Sequence, residues 1–364
     1  MRFIRLAGKG AAVAAALLML QGCGDQGTGN SSGANPDSGG QISGAGATFP
    51  APVYAKWAES YRKETGIGLN YQAIGSGGGI KQIKANTVDF GASDKPLKPE
   101  ELQQAGLYQF PTVLGGIVPV INVPGLKPGQ LKLNGALLGD IFLGKVTRWN
   151  APQIAALNAG TALPNLPISI VHRSDGSGTS FLFTSYLSKL NPEWAQKVGA
   201  SDSVSWPTGL GGKGNDGVAA FVKQTTGSIG YVEYAYAKQN GMAYALMQNA
   251  SGAFVKPEAS AFAAAAAGAD WNKAPGNYLL LLDQPGAATW PITGATFILL
   301  HTQQADKGRA AATLKFFDWA YSNGDTLASS LDYVPLPAAV KDMVRQQWAA
   351  TIKASDGTPV YTGK

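Results

Sequence analysis

Cysteine is nearly missing from the 364 residues: Cys23 stands alone, which excludes a disulfide framework and a multi-cysteine zinc site. Histidine is almost as scarce. With only His172 and His301, a histidine-based catalytic triad or a histidine metal cluster has few candidates, and each ring reads as structural, at or beside a strand end. Charged residues make up only 14% against 45% hydrophobic ones, a balance that excludes wholesale disorder. The 47 glycines follow no Gly-X-Y period, no repeat of 20–50 residues is visible, and no basic run interleaves with aromatics. Nucleic-acid binding is therefore not expected. Net charge is +6, but Arg2, Arg5 and Lys9 precede any acid, leaving +3 for the rest.

Those three cations open a secretory signal, followed by the apolar run Ala11–Leu20 and then Leu20-Gln-Gly-Cys23. The run is about half the roughly 20 residues of a membrane-spanning helix. Leu-x-Gly-Cys resembles a bacterial lipobox, so residues 1–22 are expected to be a lipoprotein signal peptide and Cys23 the lipid attachment site. Residues 23–41, dominated by Gly, Ser and Asn, read as a flexible tether. An exported, membrane-anchored protein is expected.

Downstream, strand and helix patterns alternate, as in an α/β fold. Strands are expected at 69–74, 88–92, 112–123, 168–172, 230–234 and 290–301, and helices at 53–64, 79–85, 181–190, 217–224 and 262–267. Three times a run of small residues leads into a helix: Ala45-Gly-Ala-Thr-Phe-Pro-Ala-Pro, Gly75-Ser-Gly-Gly-Gly and Asp175-Gly-Ser-Gly-Thr-Ser. Each offers unpaired N–H groups at the positive end of a helix dipole. One such run usually only caps its helix. Three, with Thr48, Ser76, Ser177 and Thr179 as hydroxyl donors, point to an oxyanion site.

Enzyme signatures fail. Gly212-Lys-Gly-Asn-Asp-Gly217 fits G-x-G-x-x-G, but Ser205-Trp-Pro-Thr-Gly before it is no Rossmann strand. Gly214 after Lys213 excludes a Walker A loop, and no G-x-S-x-G elbow occurs. Ser76 or Thr179 as nucleophile lacks a base. No cofactor and no metal are expected.

The motifs Ile42-Ser-Gly-Ala-Gly-Ala-Thr-Phe-Pro-Ala-Pro-Val-Tyr, Asn86-Thr-Val-Asp-Phe-Gly-Ala-Ser-Asp, Asp175-Gly-Ser-Gly-Thr-Ser-Phe, Gly209-Leu-Gly-Gly-Lys-Gly-Asn-Asp-Gly, Gly230-Tyr-Val-Glu-Tyr-Ala-Tyr-Ala and Lys315-Phe-Phe-Asp-Trp-Ala-Tyr resemble the substrate-binding protein family of bacterial high-affinity phosphate ABC transporters, across residues 42–364. The resemblance implies a two-domain periplasmic binding protein fold of type II, with its ligand cleft between domains joined by two hinge crossings. Domain one would be 42–120 with 293–364, and domain two 121–292. It implies a non-catalytic, monomeric phosphate receptor serving the transmembrane permease subunits of an ABC transporter. It also implies a ligand set: Thr48, Phe49, Ser76, Asp94, Arg173, Ser177, Gly178 and Thr179.

These residue types suit the ligand. Hydrogen phosphate presents acceptor oxygens to N–H and hydroxyl groups, and Arg173 supplies a planar fork that Asp175 could brace. Taken alone, Arg173 and Asp175 read as an exposed pair at a strand end. Asp94 is an oddity, since a carboxylate repels an anion unless it accepts the ligand's proton, which phosphate carries and sulfate lacks. The residues alone weigh that role evenly against a turn cap in Ser-Asp-Lys-Pro; the resemblance decides for the ligand role. The alternatives are an exported phosphate-ester hydrolase and a receptor for another tetrahedral oxyanion such as sulfate.

Overall fold

The computed structural model describes residues 41–363. Signal peptide, Cys23 and nearly all of the tether lie outside the described residues. Among the described residues no helix is long and apolar enough to cross a membrane.

The strands that position the site are β1 (Ile42–Gly46), β2 (Leu69–Ala73), β3 (Phe90–Ser93), β4 (Leu107–Asn122), β5 (Ser169–Arg173), β6 (Leu210–Gly212), β7 (Ser228–Glu233) and β8 (Ile292–His301). Their order across the sheet is β2-β1-β3-β8-β4-β7-β5-β6. Outer strands run parallel to one another at both ends, β1 with β2 and β3, β5 with β6 and β7. The middle is antiparallel, with β4 against β8 and then against β7.

β4 is the pivot of the topology. Its first part, to Gly116, pairs with β8, and from Ile117 onward it pairs with β7. Sixteen residues, nearly all buried, are possible because both faces and both edges are covered, which selects a continuous run of Val, Ile, Leu and Gly over an alternating pattern. The strand begins five residues before its expected start and passes through Pro111. The ladder accommodates this with a bulge: Thr296 pairs with Val113 and Phe297 with Pro111, so Thr112 is the extra residue.

Each part of the sheet has its own aromatic packing. Beside the first part, Tyr54, Phe90, Phe110 and Phe316 surround Phe317, and Trp348 packs on Phe110. Beside the second, Phe142, Phe183 and Trp206 pack around Tyr231. His172 belongs to this second cluster, stacked on Trp206 at 4.7 Å with burial lowering its pKa, and His301 donates from Nε2 to the Ile83 carbonyl at 2.7 Å. Two residues of the stretch expected in domain two make contact with the first part. Asn277 donates to the Gln109 carbonyl of β4 at 2.8 Å, and Trp271 rests on Phe297.

The relevant helices are α1 (Ala51–Thr65), α2 (Ser76–Lys84), α3 (Gly178–Leu190) and α4 (Gly214–Gln224). The last three each begin three residues before the start read from the sequence. Gly, Ser, Thr, Asn and Asp are poor helix formers, yet in a first turn the N–H groups have no intrahelical partner to lose, so such residues start a helix cheaply. Residues 205–209 form no strand, in line with the reading of the G-x-G-x-x-G run, and a short strand, β6, stands between them and Gly214. It is three residues at the sheet edge, and it delivers α4 to the same place as the other three helices.

Candidate functional site

The N-termini of α1, α2, α3 and α4 meet over the sheet. Thr48 and Phe49 lead into α1 after β1; Ser76 opens α2; Asp94 follows β3; Arg173 ends β5; Ser177, Gly178 and Thr179 enter α3. Thr48, Ser76, Asp94, Arg173, Ser177 and Thr179 are all buried, none more than 3% exposed. Burial of so many polar groups requires partners, and the partners define the site.

Contact between the two sides is close. A Cβ on Gly178 would stand 2.6 Å from Ser76 Oγ and 2.7 Å from Asp94 N, and the Gly77 N–H donates to the Gly176 carbonyl at 2.9 Å. Gly75 caps α2 at φ +91°, a conformation that side chains rarely adopt, with Asp175 Oδ2 where its Cβ would be. Lys95 and Asp202 pair at 2.9 Å across the same boundary.

Asp94 sits at the centre. Thr296 Oγ1, placed beside the β4 bulge, donates to its Oδ1 at 2.9 Å, and its own N–H donates to Ser76 Oγ at 3.2 Å. Burial pushes its pKa up to about 7, against the opposing pull of Thr296, the Arg173 charge, Ser76 and Thr179. Arg173 is the counter-charge. Asp175 takes two of its N–H groups, and although burial raises the Asp175 pKa, the Arg173 fork and the Gly214 N–H bring it below the usual value. Ser177 caps α3 by accepting the Ser180 N–H at 3.0 Å, and its own N–H is taken by the Asp202 carbonyl. The N–H groups of Gly178 and Thr179 then lack a helical partner.

All eight expected ligand residues are thus brought to one region. Phe49 differs in kind: its ring fills the core beside Tyr333 and under Gly115, which leaves its backbone as the part available to a ligand. Four further residues escaped the sequence reading. Asn215 donates to Thr48 and Thr179; Thr296 donates to Asp94; Tyr236 donates to the Thr48 carbonyl at 2.6 Å; Tyr333 donates to the Phe49 carbonyl at 2.6 Å. Asn215 lay inside the quoted Gly209–Gly217 motif, and Tyr236 inside Gly230–Ala237. Thr296, in an apolar strand, gave no local signal. Tyr333 also reaches Glu233 Oε2 at 2.9 Å, and burial, with the negative Asp94 nearby, holds the Glu233 carboxyl well above its usual pKa. Among the described residues no group of three or more His, Cys, Asp or Glu could hold a metal ion.

Backbone N–H groups, hydroxyls and one guanidinium converging from both parts of a shared sheet define a solute receptor of the periplasmic-binding class. A family model described as the PBP superfamily domain matches residues 31–324. The phosphate-binding protein PstS of Pasteurella multocida is 55% identical over 320 residues, covering 88% of this chain and 93% of its own, and that of Methanocaldococcus jannaschii is 36% identical over 322 residues, covering 81% and 82%. A high-affinity periplasmic phosphate-binding protein solved with phosphate shares the fold, with a TM-score of 0.70 at 22% identity over 88% of this chain and 97% of that one. The chain belongs to the PstS family of phosphate-binding proteins.

Proposed function

We propose that this protein binds inorganic phosphate through Thr48, Phe49, Ser76, Asp94, Arg173, Ser177, Gly178 and Thr179 and delivers it to the permease of an ABC transporter for import. It is a carrier and performs no chemistry on its ligand. The observation that carries the reading is Asp94, a buried carboxyl set among anion donors, where it serves as acceptor for a proton that phosphate carries near neutral pH and sulfate does not. A site of this kind rejects the unprotonated analogue by about 10⁴ or more, because a buried lone pair would face a lone pair.

The domains are proposed to close by twisting where β4 changes partner, at Gly116–Ile117, and near the start of β8. Anchoring is proposed through acylated Cys23, with the chain exported and acting as a monomer. Partition of the wild type into detergent, lost in Cys23→Ala, tests the anchor. Calorimetry of phosphate-stripped protein with phosphate and then sulfate tests the ligand. Tight phosphate binding with no sulfate heat at pH 8 is expected; equal binding of the two anions overturns the reading. A chromogenic phosphate ester should release nothing.

A further inference from the structure

We infer that Asn215 is a positioning residue of the anion site, fixing the hydroxyls of Thr48 and Thr179 as donors to the ligand. This rests on the reading that both hydroxyls face phosphate. A threonine hydroxyl has one proton to give and two lone pairs to accept with, and left to rotate it can turn either toward an anion. Only the proton is attractive. Thr48 Oγ1 accepts from the Asn215 backbone N–H at 3.2 Å and from its Nδ2 at 2.8 Å, so both lone pairs are used and the proton alone remains to be directed. Thr179 Oγ1 accepts from the same Nδ2 at 3.3 Å, which uses one of its lone pairs as well.

The amide cannot turn over without loss. Its Oδ1 accepts the Glu233 N–H at 3.0 Å, so a flip would set an NH₂ against that N–H and an oxygen against the two hydroxyls. An oxygen there would draw both protons away from the ligand. Asn215 is fully buried in the first turn of α4, where a side chain of this length reaches Thr48 and Thr179 together. Thr48 comes from the first part of the molecule, and Asn215 and Thr179 from the second. The orientation of Thr48 is consequently completed only when the two sides meet, while that of Thr179 is held throughout.

That asymmetry supplies the test. Phosphate affinity is measured for Asn215→Ala in four backgrounds: wild type, Thr48→Val, Thr179→Val and the double threonine variant. Asn215→Ala should lower affinity roughly 10-fold or more in wild type, by less in Thr179→Val, and less than about 3-fold in the double variant, because the hydroxyls it orients are gone. A loss of the same size in every background would overturn the inference, since Asn215 would then act as a plain brace. A loss unchanged in Thr179→Val but abolished in Thr48→Val would also overturn it, leaving only a latch between the two sides. If the double threonine variant binds phosphate as tightly as wild type, the reading of the site itself falls. Thermal unfolding without phosphate checks each fold. Should Asn215→Ala not fold, Asn215→Asp serves in the same backgrounds: its charge repels phosphate equally in all four, so a larger loss in wild type isolates the reversed hydroxyls, and equal losses refute them.

Discussion

Arg173 donates to both oxygens of Asp175, from Nε to Oδ1 at 2.8 Å and from Nη2 to Oδ2 at 2.5 Å, while its Nη1 is buried with no partner among the described residues. Asp175 therefore fixes the plane of the guanidinium and leaves one nitrogen to the site. Arg173→Ala should weaken phosphate by about 1.5–3 kcal/mol, roughly 10- to 100-fold, the range for a charge-assisted bond. In the Asp94→Asn background, where sulfate becomes measurable, it should fall by a similar factor. Arg173→Lys should recover little, because an ammonium cannot occupy the fork. Titration calorimetry with each anion checks both, and a change confined to one anion would move selectivity onto Arg173.

Asp94 sets a pH dependence whose sign follows from its pKa of about 7. Above that pH the carboxylate demands a ligand proton; below it the carboxyl donates and tolerates an unprotonated oxygen. Sulfate affinity should therefore rise as pH falls from 8.5 to 5.5. Asp94→Asn should bind sulfate at both pH values and lose most of this dependence, because an amide donates at any pH. Sulfate binding that is flat with pH in the wild type would return Asp94 to the role of a turn cap.

Gly178→Ala tests the approach of α3 to the other side. The added carbon would fall inside Ser76 Oγ and the Asp94 backbone, so the two sides must stand apart. Overpacking of this kind costs about 1–3 kcal/mol. The cost should appear in phosphate affinity, with the melting temperature of phosphate-free protein nearly unchanged. Scattering in excess phosphate should show a larger radius for the variant than for the wild type.

Glu233 makes a prediction about stability. Its folded pKa is raised, so the native state holds a proton that the unfolded chain releases above roughly pH 4.3, and stability drops as pH rises through and beyond that value. Asp94 contributes a drop of the same sign. Glu233→Gln keeps the neutral shape and removes one of the two, so its melting temperature should decline less between pH 5 and pH 8 than that of the wild type. Parallel declines would mean that Glu233 is ionised in the fold.

The alternation of strand and helix, and the convergence of small residues on helix starts, were legible because each depends on local chemistry. Helix starts were misplaced where the first turn is built of Gly, Ser and Thr, at Ser76 and Gly178, or of Gly, Asn and Asp, at Gly214, since a propensity that disfavours a helix interior says little about its first turn. The ligand residues were named through a family resemblance. What stayed hidden was the layer behind them. Thr296 is 202 residues from Asp94, and its hydroxyl is aimed by a bulge that only the pairing of β4 with β8 creates. Asn215 sat in a motif already in view, but its role needs Thr48, 167 residues away.

The partner change along β4 also means that the two sides are not separable modules. If the chain were cut after Asn122 and the pieces made alone, β7 would lose its whole neighbour on one flank and present an open row of N–H and C=O groups. A bare edge that carries Ile229 and Val232 is a template for pairing with other chains, so the piece should aggregate. A receptor whose two sides share one uninterrupted strand cannot be taken apart there.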